Sequence, residues 1–547
     1  MAFQPYMQLD PADNVLVALQ DLPAGMEVHF QDVHFRLVRD VPAKHKFFIH
    51  PMPVDAAITM YGTLVGTAVT AIAQGDRMDT QNTRHAASAY GEKTAMYTWQ
   101  PPDVHRWQDA QFMGYHRADG QVGTRNYWLV IPLVFCENRN VDTIREAFIQ
   151  ELGYARPNPY RQLVRSLLRT VQGNTQHTET QEGEESVFLP DRPFPNIDGI
   201  RFLVHDGGCG GTREDSRNLC MLLAGYVANP NVAGATILSL GCQHAQIPLF
   251  EEELARRMPA HTKPVHIFEQ QKYGTEQAML EAAIQATFSG LVQANAQQRQ
   301  PAPISKLTIG VKCGGSDGFS GISANPAVGH AADLLVALGG KVVMAEFPEL
   351  CGVEQELINR CTDEETATRF SMLMNEYAAR AKAVGSGFDM NPSPGNIRDG
   401  LITDAIKSAG AAKKGGTSPV TDVLPYGHYV RKSGLSLLCT PGNDVESTSG
   451  MAGAGCNLQL FTTGLGTPTG NPVSPMVKIA TNDTLAARMP DIIDLNCGGI
   501  ITGSHTITSS GEEILEYVLT LASGVAATCA ERNGQEDFIF WKRGVSL

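Results

Sequence analysis

The sequence has no Cys-x-x-C pair. Its eleven cysteines, at 136, 209, 220, 242, 313, 351, 361, 439, 456, 497 and 529, are an odd number spread over 547 residues. That excludes zinc-finger and thioredoxin-like spacing, and it excludes a disulfide framework. Free thiols in this number suit a reducing compartment. No apolar stretch reaches the roughly 18 residues of a membrane span. The most apolar segment, Tyr127 to Cys136, is about half that length and contains Pro132. The opening MAFQPYMQLDPADN has no basic region followed by an apolar core, so a secretory leader is not expected and a cytoplasmic location is. Positive charge is scarce. Lys plus Arg total 43 against 57 Asp plus Glu, a net charge of −14, which repels phosphate backbones and excludes a general nucleic-acid binder. An anionic small molecule would need a locally positive pocket.

What is present is ordinary globular material, with 43% hydrophobic and 18% charged residues, so wholesale disorder is excluded. The first hundred residues read as short strands: Val15–Leu22, Glu27–Phe30, His34–Val38, His45–His50, Ala57–Tyr61 and Val65–Ala71. Turns such as Pro23-Ala24-Gly25 separate them. A polar stretch from Thr98 to Gln111 reads as a linker. Beyond Gly114 the habit changes to apolar runs of strand length alternating with helical patterns. Tyr127–Phe135, Ile200–Val204, Gly234–Leu240 and Pro264–Phe268 read as buried strands. Ala278–Val292 carries Leu280, Ile284, Phe288 and Leu291 on one helical face. Residues 173–193 are polar and read as a loop. Further strands are expected at Leu307–Val311, Lys341–Glu346, Ser436–Cys439 and Leu458–Thr462, with helices at Ala331–Leu338 and Thr362–Ala381. Alternation of this kind implies parallel sheets that bind ligands beyond the carboxyl ends of their strands. The expected fold class is α/β: a small N-terminal all-β module, then two α/β parts with Rossmann-like parallel sheets. The expected boundaries are 1–97 for the β module, 98–112 for a linker, 113–300 for a central domain and 301–547 for a C-terminal catalytic domain.

Several expected strands run into glycine-rich turns that carry cysteine. FLVHDGGCGG offers His205, Asp206 and Cys209; TILSLGCQH offers Cys242 and His244; LTIGVKCGGSDGFSG offers Cys313, Ser316 and Asp317. Glycine lets backbone amides approach an anion, and Cys, His and Asp there are natural metal ligands. The glycines at 464, 466 and 470 do not have the dinucleotide-binding spacing. EFPELCGVEQE adds Glu346, Glu349 and Glu354, of which Glu354 reads as solvated. NPSPGN and TPGNDVEST add Asn396, Asn443 and Asp444. Lys413 and Lys414 read as a helix C-terminal signal. Lys407, which the helical pattern alone would put on the surface, completes the catalytic candidates with His205 and Asp317.

These blocks resemble the altronate and galactarate dehydratase family over nearly the whole chain. GYHRADGQVGTRN, HDGGCGG, SLGCQ, KCGGSDGFSGISANPAVG, EFPELCGVEQEL, NPSPGN, and TPGNDVESTSGMAGAGCNLQLFTTGLGTPTGNP with VKIATN occur in the family's order. ALQDLPAG and AKHKF resemble its N-terminal SAF, or β-clip, module. TPGND and the closing KRGVSL favour the altronate branch, while ANPAVGHAADLLV is more galactarate-like. The chain departs from the family pattern at Lys312, where glutamate is common, and at Gln243 after Gly241-Cys242. The resemblance implies a hydro-lyase that takes D-altronate to 2-dehydro-3-deoxy-D-gluconate in hexuronate catabolism. Galactarate or another sugar acid is the alternative substrate, and a non-catalytic sugar-acid-binding protein is the alternative class. It also implies iron: Fe²⁺, or a [4Fe-4S] cluster held by Cys209, Cys242 and Cys313. Arg125, Asn126, Ser316, Asn396, Asn443, Asp444 and His45 are the expected substrate contacts. Arg125 would take a carboxylate bidentately, and His45 with Lys46 would cap the site. A homodimer is expected by base rate.

Overall fold

The computed structural model describes residues 4–156, 158–171, 192–258 and 262–547. Most of the polar stretch at 173–193 lies outside them. The architecture is the expected α/β one, a small antiparallel β module followed by two parallel sheets.

The N-terminal module is built from Tyr6–Met7, Val15–Ala18 and Lys46–Phe48 in one sheet, the hairpin Glu27–Phe30 with Val33–Arg36, and Ala57–Met60, Thr63–Ala68 and Thr83–His85 in a third sheet. Its apolar face does not close on itself. Val15, Phe48, Ile58 and Met60 share one core with Phe319, Leu401, Ile402, Ala405 and Ile406 of the C-terminal part. Burial of that shared face holds the module against the C-terminal part. Polar groups then fix its seat. Lys46 is fully buried and donates to the carbonyls of Lys44 and Gly400, the latter at 2.7 Å. Burial drives its amine down to about 7. The connecting stretch is itself packed. Trp107 is buried and its indole donates to Glu516 at 2.7 Å, and Gln111–His116 forms a strand paired with Gln300–Pro303.

The central sheet contains β1 (Tyr127–Pro132), β2 (Gly199–Phe202), β3 (Val232–Ser239) and β4 (Val265–Glu269), all parallel, in the order β2-β1-β3-β4. The helix Glu276–Asn295 covers it with Leu291 buried and Leu280 and Ile284 packed at the core's edge, as the apolar period suggested, but the stripe is turned so that Phe288 lies outside it. Met279, Ala283, Thr287, Gly290, Leu291 and Ala294 point inward, and Phe288 is 45% exposed. Trp128 is the reason. Its indole fills the space over Gly290, where a Cβ would stand 2.0 Å from the ring. A helix crossing so close must present small residues.

The C-terminal sheet has seven parallel strands: β5 (Thr308–Cys313), β6 (Lys341–Met344), β7 (Val420–Leu424), β8 (Gly434–Leu438), β9 (Leu458–Thr463), β10 (Met476–Ala480) and β11 (Leu495–Asn496). Their order is β7-β8-β6-β5-β9-β10-β11. The apolar-run reading missed β7, β10 and β11. In β10 a lysine, Lys478, sits in the middle of a wholly buried strand and interrupts the apolar pattern. The strand order reverses at β5, between β6 and β9, which is where a sheet of this kind opens a crevice for ligands.

Candidate active site

The carboxyl end of β5 carries Lys312 and Cys313, both buried. Two residues past β6, Glu346 takes a left-handed backbone (φ 75°) that is costly for a residue with a Cβ. Its amide donates to Thr440 Oγ1 at 3.0 Å, which helps hold that conformation. The turn Phe347–Leu350 then places Glu349 beside it. The helix Asp404–Ala412 delivers Lys407, the turn after it delivers Lys414, and the helix Asp444–Gly453 begins with Asp444.

These groups interlock. Lys312 is paired with Glu346 through a very short contact and with Asp444 at 2.8 Å. Lys414 lies 3.1 Å from Glu346 Oε2 and donates to Cys313 Sγ at 3.2 Å. Lys407 is 2.8 Å from Glu349 Oε1 and donates to Asn391 at 2.8 Å. Three ammonium groups thus face three carboxylates, all of them buried except Asp444. Burial opposes the charge on Lys407, Lys312 and Lys414, but the adjacent acids overrule it and raise all three. Burial likewise opposes ionisation of Glu349, and Lys407 with the other lysines overrules it, holding that carboxyl down to about 2. Glu346 goes the other way, raised by burial and by the Glu349 charge. Asp444 has 29% of its side chain exposed and Lys407 9%, whereas Glu346 is sealed, so the cluster is approached from the Asp444 and Lys407 side.

One further lysine belongs here. In the register of the sheet, Phe461 on β9 lies between Lys312 on β5 and Lys478 on β10. Lys478 Nζ sits 3.5 Å over the Phe461 ring and donates to Thr469. Burial, only partly offset by Asp444, drives its amine down to about 7. An amine that titrates near neutrality beside charged partners is suited to proton transfer.

The expected site residues divide into those that join this cluster and those committed elsewhere. Lys407, Asp444 and Cys313 are in it. Asn443 caps the helix that starts with Asp444, accepting from the amides of Val445 and Glu446. Asp317 is a clasp. It is fully buried, accepts from Ser320, Phe319, Thr481 and Asn482, and pairs with Lys44 of the N-terminal module at 3.0 Å. Ser316 is buried, and its carbonyl accepts from Asn396, which caps its own short helix together with Ser393. His45 reaches the Arg398 carbonyl at 3.0 Å.

The catalytic role expected for His205 finds no free nitrogen. Its Nε2–H donates to the Pro132 carbonyl at 2.8 Å and its Nδ1 accepts the Gly207 amide at 3.1 Å, which fixes a neutral ring that shapes the turn. Arg125 is not free for a substrate carboxylate. Glu531 holds it through Nε at 2.8 Å and Nη2 at 3.1 Å, and three carbonyls take the rest. Asn126 spends its amide on the carbonyls of Asn196 and Ala294.

The cysteine trio is also divided. Cys209 and Cys242 lie in turns beyond β2 and β3 of the central sheet, whereas Cys313 ends β5 of the other sheet. Cys136 lies in the turn beyond β1 of the same central sheet. Phe135 donates to Gly207 and Ala245 to Gly208, each at 3.0 Å, so the three turns interlock.

Sequence reasoning missed Lys312, Lys414 and Lys478 as site residues. It also read Glu354 as solvated, whereas Glu354 is buried and accepts the Gly352 amide.

Among the described residues, two groups of at least three metal-competent side chains have their ligand atoms within 4.8 Å of one another: Cys313, Glu346 and Glu349, and His85, Cys351 and Asp404. The first does not suit a cation, because Lys312, Lys407 and Lys414 already occupy its carboxylates and sulfur. The second has no such occupants.

The fold sets a buried cluster of lysines and carboxylates at the carboxyl end of a parallel α/β sheet, as α/β enzymes set their active sites. Family models match the chain almost end to end: the altronate/galactarate dehydratase SAF domain over residues 4–86, the D-galactarate dehydratase/altronate hydrolase second domain over 114–295, and the D-galactarate/altronate dehydratase C-terminal domain over 304–546. The chain is 34% identical to the altronate dehydratase of Escherichia coli strain K12, over 99% of this chain and all of that one. It is 31% identical to the altronate dehydratase of Bacillus subtilis strain 168, over 99% of each. It is 30% identical to the L-threo-forming galactarate dehydratase of E. coli, over 97% of this chain and 95% of that one. The chain belongs to the D-galactarate/altronate dehydratase family, and it is an enzyme of the hydro-lyase class.

Proposed function

We propose that the chain dehydrates D-altronate to 2-dehydro-3-deoxy-D-gluconate. The observation that carries this reading is the buried array of Lys312, Lys407 and Lys414 against Glu346, Glu349 and Asp444 at the reversal point of the seven-stranded sheet. Likeness to two altronate dehydratases along the full chain supports the substrate.

The chemistry explains the residue types. The C2 proton of an aldonate is weakly acidic, because its loss puts a second negative charge on the carboxylate. Fixed ammonium groups in a water-poor site stabilise that enediolate far better than water does. Lys407, the most exposed of the three cluster lysines, is assigned to the substrate carboxylate. Lys478, as the amine, takes the C2 proton. The C3 hydroxyl departs as water after receiving a proton from a cluster ammonium. The enol left behind tautomerises to the 2-keto product.

Iron stays in this reading as the expected cofactor, which would supply Lewis-acid stabilisation of the enediolate. Lysines already hold the carboxylates of the acid cluster, so the ion would have to be held elsewhere. A cluster on Cys209, Cys242 and Cys313 has no geometric support, since the cysteines belong to different sheets. The same reading carries a cytoplasmic homodimer acting in hexuronate catabolism. All eleven cysteines are unpaired, in keeping with a reducing compartment. No described helix is long and apolar enough to cross a membrane.

The test is turnover of D-altronate and of galactarate in ²H₂O. Formation of the keto acid from altronate, with deuterium placed by the enol step, is the expected result. Turnover of galactarate alone overturns the substrate, and turnover of neither overturns the reading.

A further inference from the structure

Asp404 is the first residue of its helix, and its side chain is fully buried. No N–H or O–H of the described residues reaches either carboxylate oxygen. A buried carboxylate short of donors is costly, and native interiors avoid it unless something else satisfies the group. The one side-chain donor beside it is the Cys351 thiol, which is a weak one. Cys351 follows the turn that carries Glu349, and His85 ends the last strand of the N-terminal module. The His85 Nδ1 takes the Ala405 amide at a long 3.4 Å, and its Nε2 has no partner among the described residues. Acidic groups surround the set: Glu349 and Glu354 act on Asp404, and Asp389 acts on His85 and Cys351. Lys407 is the single cation acting on Asp404.

We propose that His85, Cys351 and Asp404 form a divalent-metal site, for ferrous iron or zinc, that fastens the N-terminal module to the catalytic domain. Their ligand atoms already lie within 4.8 Å of one another. Metal bonds of about 2.0–2.3 Å bring tetrahedral donors to roughly 3.3–3.8 Å apart, so small side-chain movements close the site. One nitrogen, one thiolate and one carboxylate form a donor set that borderline divalent ions accept, and three protein donors leave a position for water or a substrate oxygen. Binding converts the Cys351 thiol to thiolate and releases its proton, together with any proton on Asp404. The inference rests on the hydro-lyase reading only for what the metal does in turnover; whether the site binds is a separate matter.

The experiment uses the full chain, stripped of metal under anaerobic conditions and titrated with Co²⁺, Fe²⁺ and Zn²⁺. Wild type is expected to take one ion per chain at this site and to show a thiolate-to-Co²⁺ charge-transfer band. Cys351→Ser should abolish that band. Asp404→Asn and His85→Gln should each weaken affinity by roughly tenfold or more. His85 is half-exposed at the module edge, so His85→Gln remains informative where a buried substitution fails to fold. An unchanged band in Cys351→Ser, or unchanged affinity in a folded His85→Gln, overturns the site. So does loss of all metal on Cys209→Ser or Cys242→Ser. Turnover of sugar acids is measured on the same samples. Metal binding at these residues without any turnover sinks the hydro-lyase reading and leaves the site standing. Turnover by enzyme whose metal sits elsewhere sinks the site alone.

Discussion

Lys407 Nζ lies 2.8 Å from Glu349 Oε1 in the interior, and the lysine is the more exposed of the pair. The pairing makes Lys407 a structural and a chemical residue at once. Lys407→Met is expected to lower kcat by about 10²-fold or more, by removing a charge aimed at the enediolate. It should also destabilise the fold by about 3–5 kcal/mol, because Glu349 is left buried and unpaired. The double variant Lys407→Met/Glu349→Gln separates the two effects. Its melting temperature should recover much of the loss while its kcat stays down. A double variant that regains turnover would show that Lys407 only balances charge.

Lys478 gives the reaction a pH limb. Its amine is depressed to about 7 by burial, so the free enzyme gains the basic form as pH rises through that value. kcat/KM for altronate should therefore climb from pH 6 and level off above about 8. Lys478→Arg, which stays protonated throughout, should lose both the limb and most of the rate. A folded Lys478→Arg enzyme with the wild-type profile would assign the proton to another group.

Much of the fold was legible and part of the site was not, for reasons seen in single residues. β1 and β5 announced themselves as continuous apolar runs, since parallel strands are covered on both faces. β10 did not, because Lys478 occupies its centre. The Glu276–Asn295 helix was found by period with only Phe288 misplaced, because Trp128 selects Gly290 and the sequence does not show which partner will demand a small residue. Asp444 and Lys407 were named from motifs. Lys312 and Lys414 were not, because an isolated lysine reads as surface until the acid that neutralises it is found, and Glu346 lies 34 residues from one and 68 from the other along the chain. His205 and Arg125 carried chemistry-bearing side chains, but their partners are backbone carbonyls, one backbone amide and one glutamate, which no spacing rule reveals.

Lys44 joins the two parts of the molecule, with its Nζ 3.0 Å from both Asp317 Oδ2 and Asp399 Oδ1. Lys44→Met leaves Asp317 buried with hydroxyl and amide donors but without its ion-pair partner. The expected cost is about 3 kcal/mol. It should appear locally, as faster proteolytic cleavage between residues 86 and 104 with little change in the melting of the seven-stranded sheet. Cleavage at the wild-type rate would mean that the shared apolar core alone holds the module.

Arg125 and Glu531 set an acid limit on stability. Burial opposes ionisation of Glu531, but the bidentate Arg125 contact and the Thr528 amide overrule it, and the carboxyl is held below its ordinary value. A carboxyl with a depressed folded-state pKa binds fewer protons folded than unfolded. Its contribution is therefore fully present above the unfolded value of about 4.3, and it is lost as pH falls below that toward the depressed one. Glu531→Gln should be less stable than wild type at pH 7, because Arg125 keeps its buried charge without a counter-ion. The difference should shrink between about pH 4.5 and pH 3, as wild type alone loses this term. Melting temperatures of the two proteins across that range decide it. Parallel curves would place the acid sensitivity in other carboxylates and reduce the Arg125 pair to a packing role.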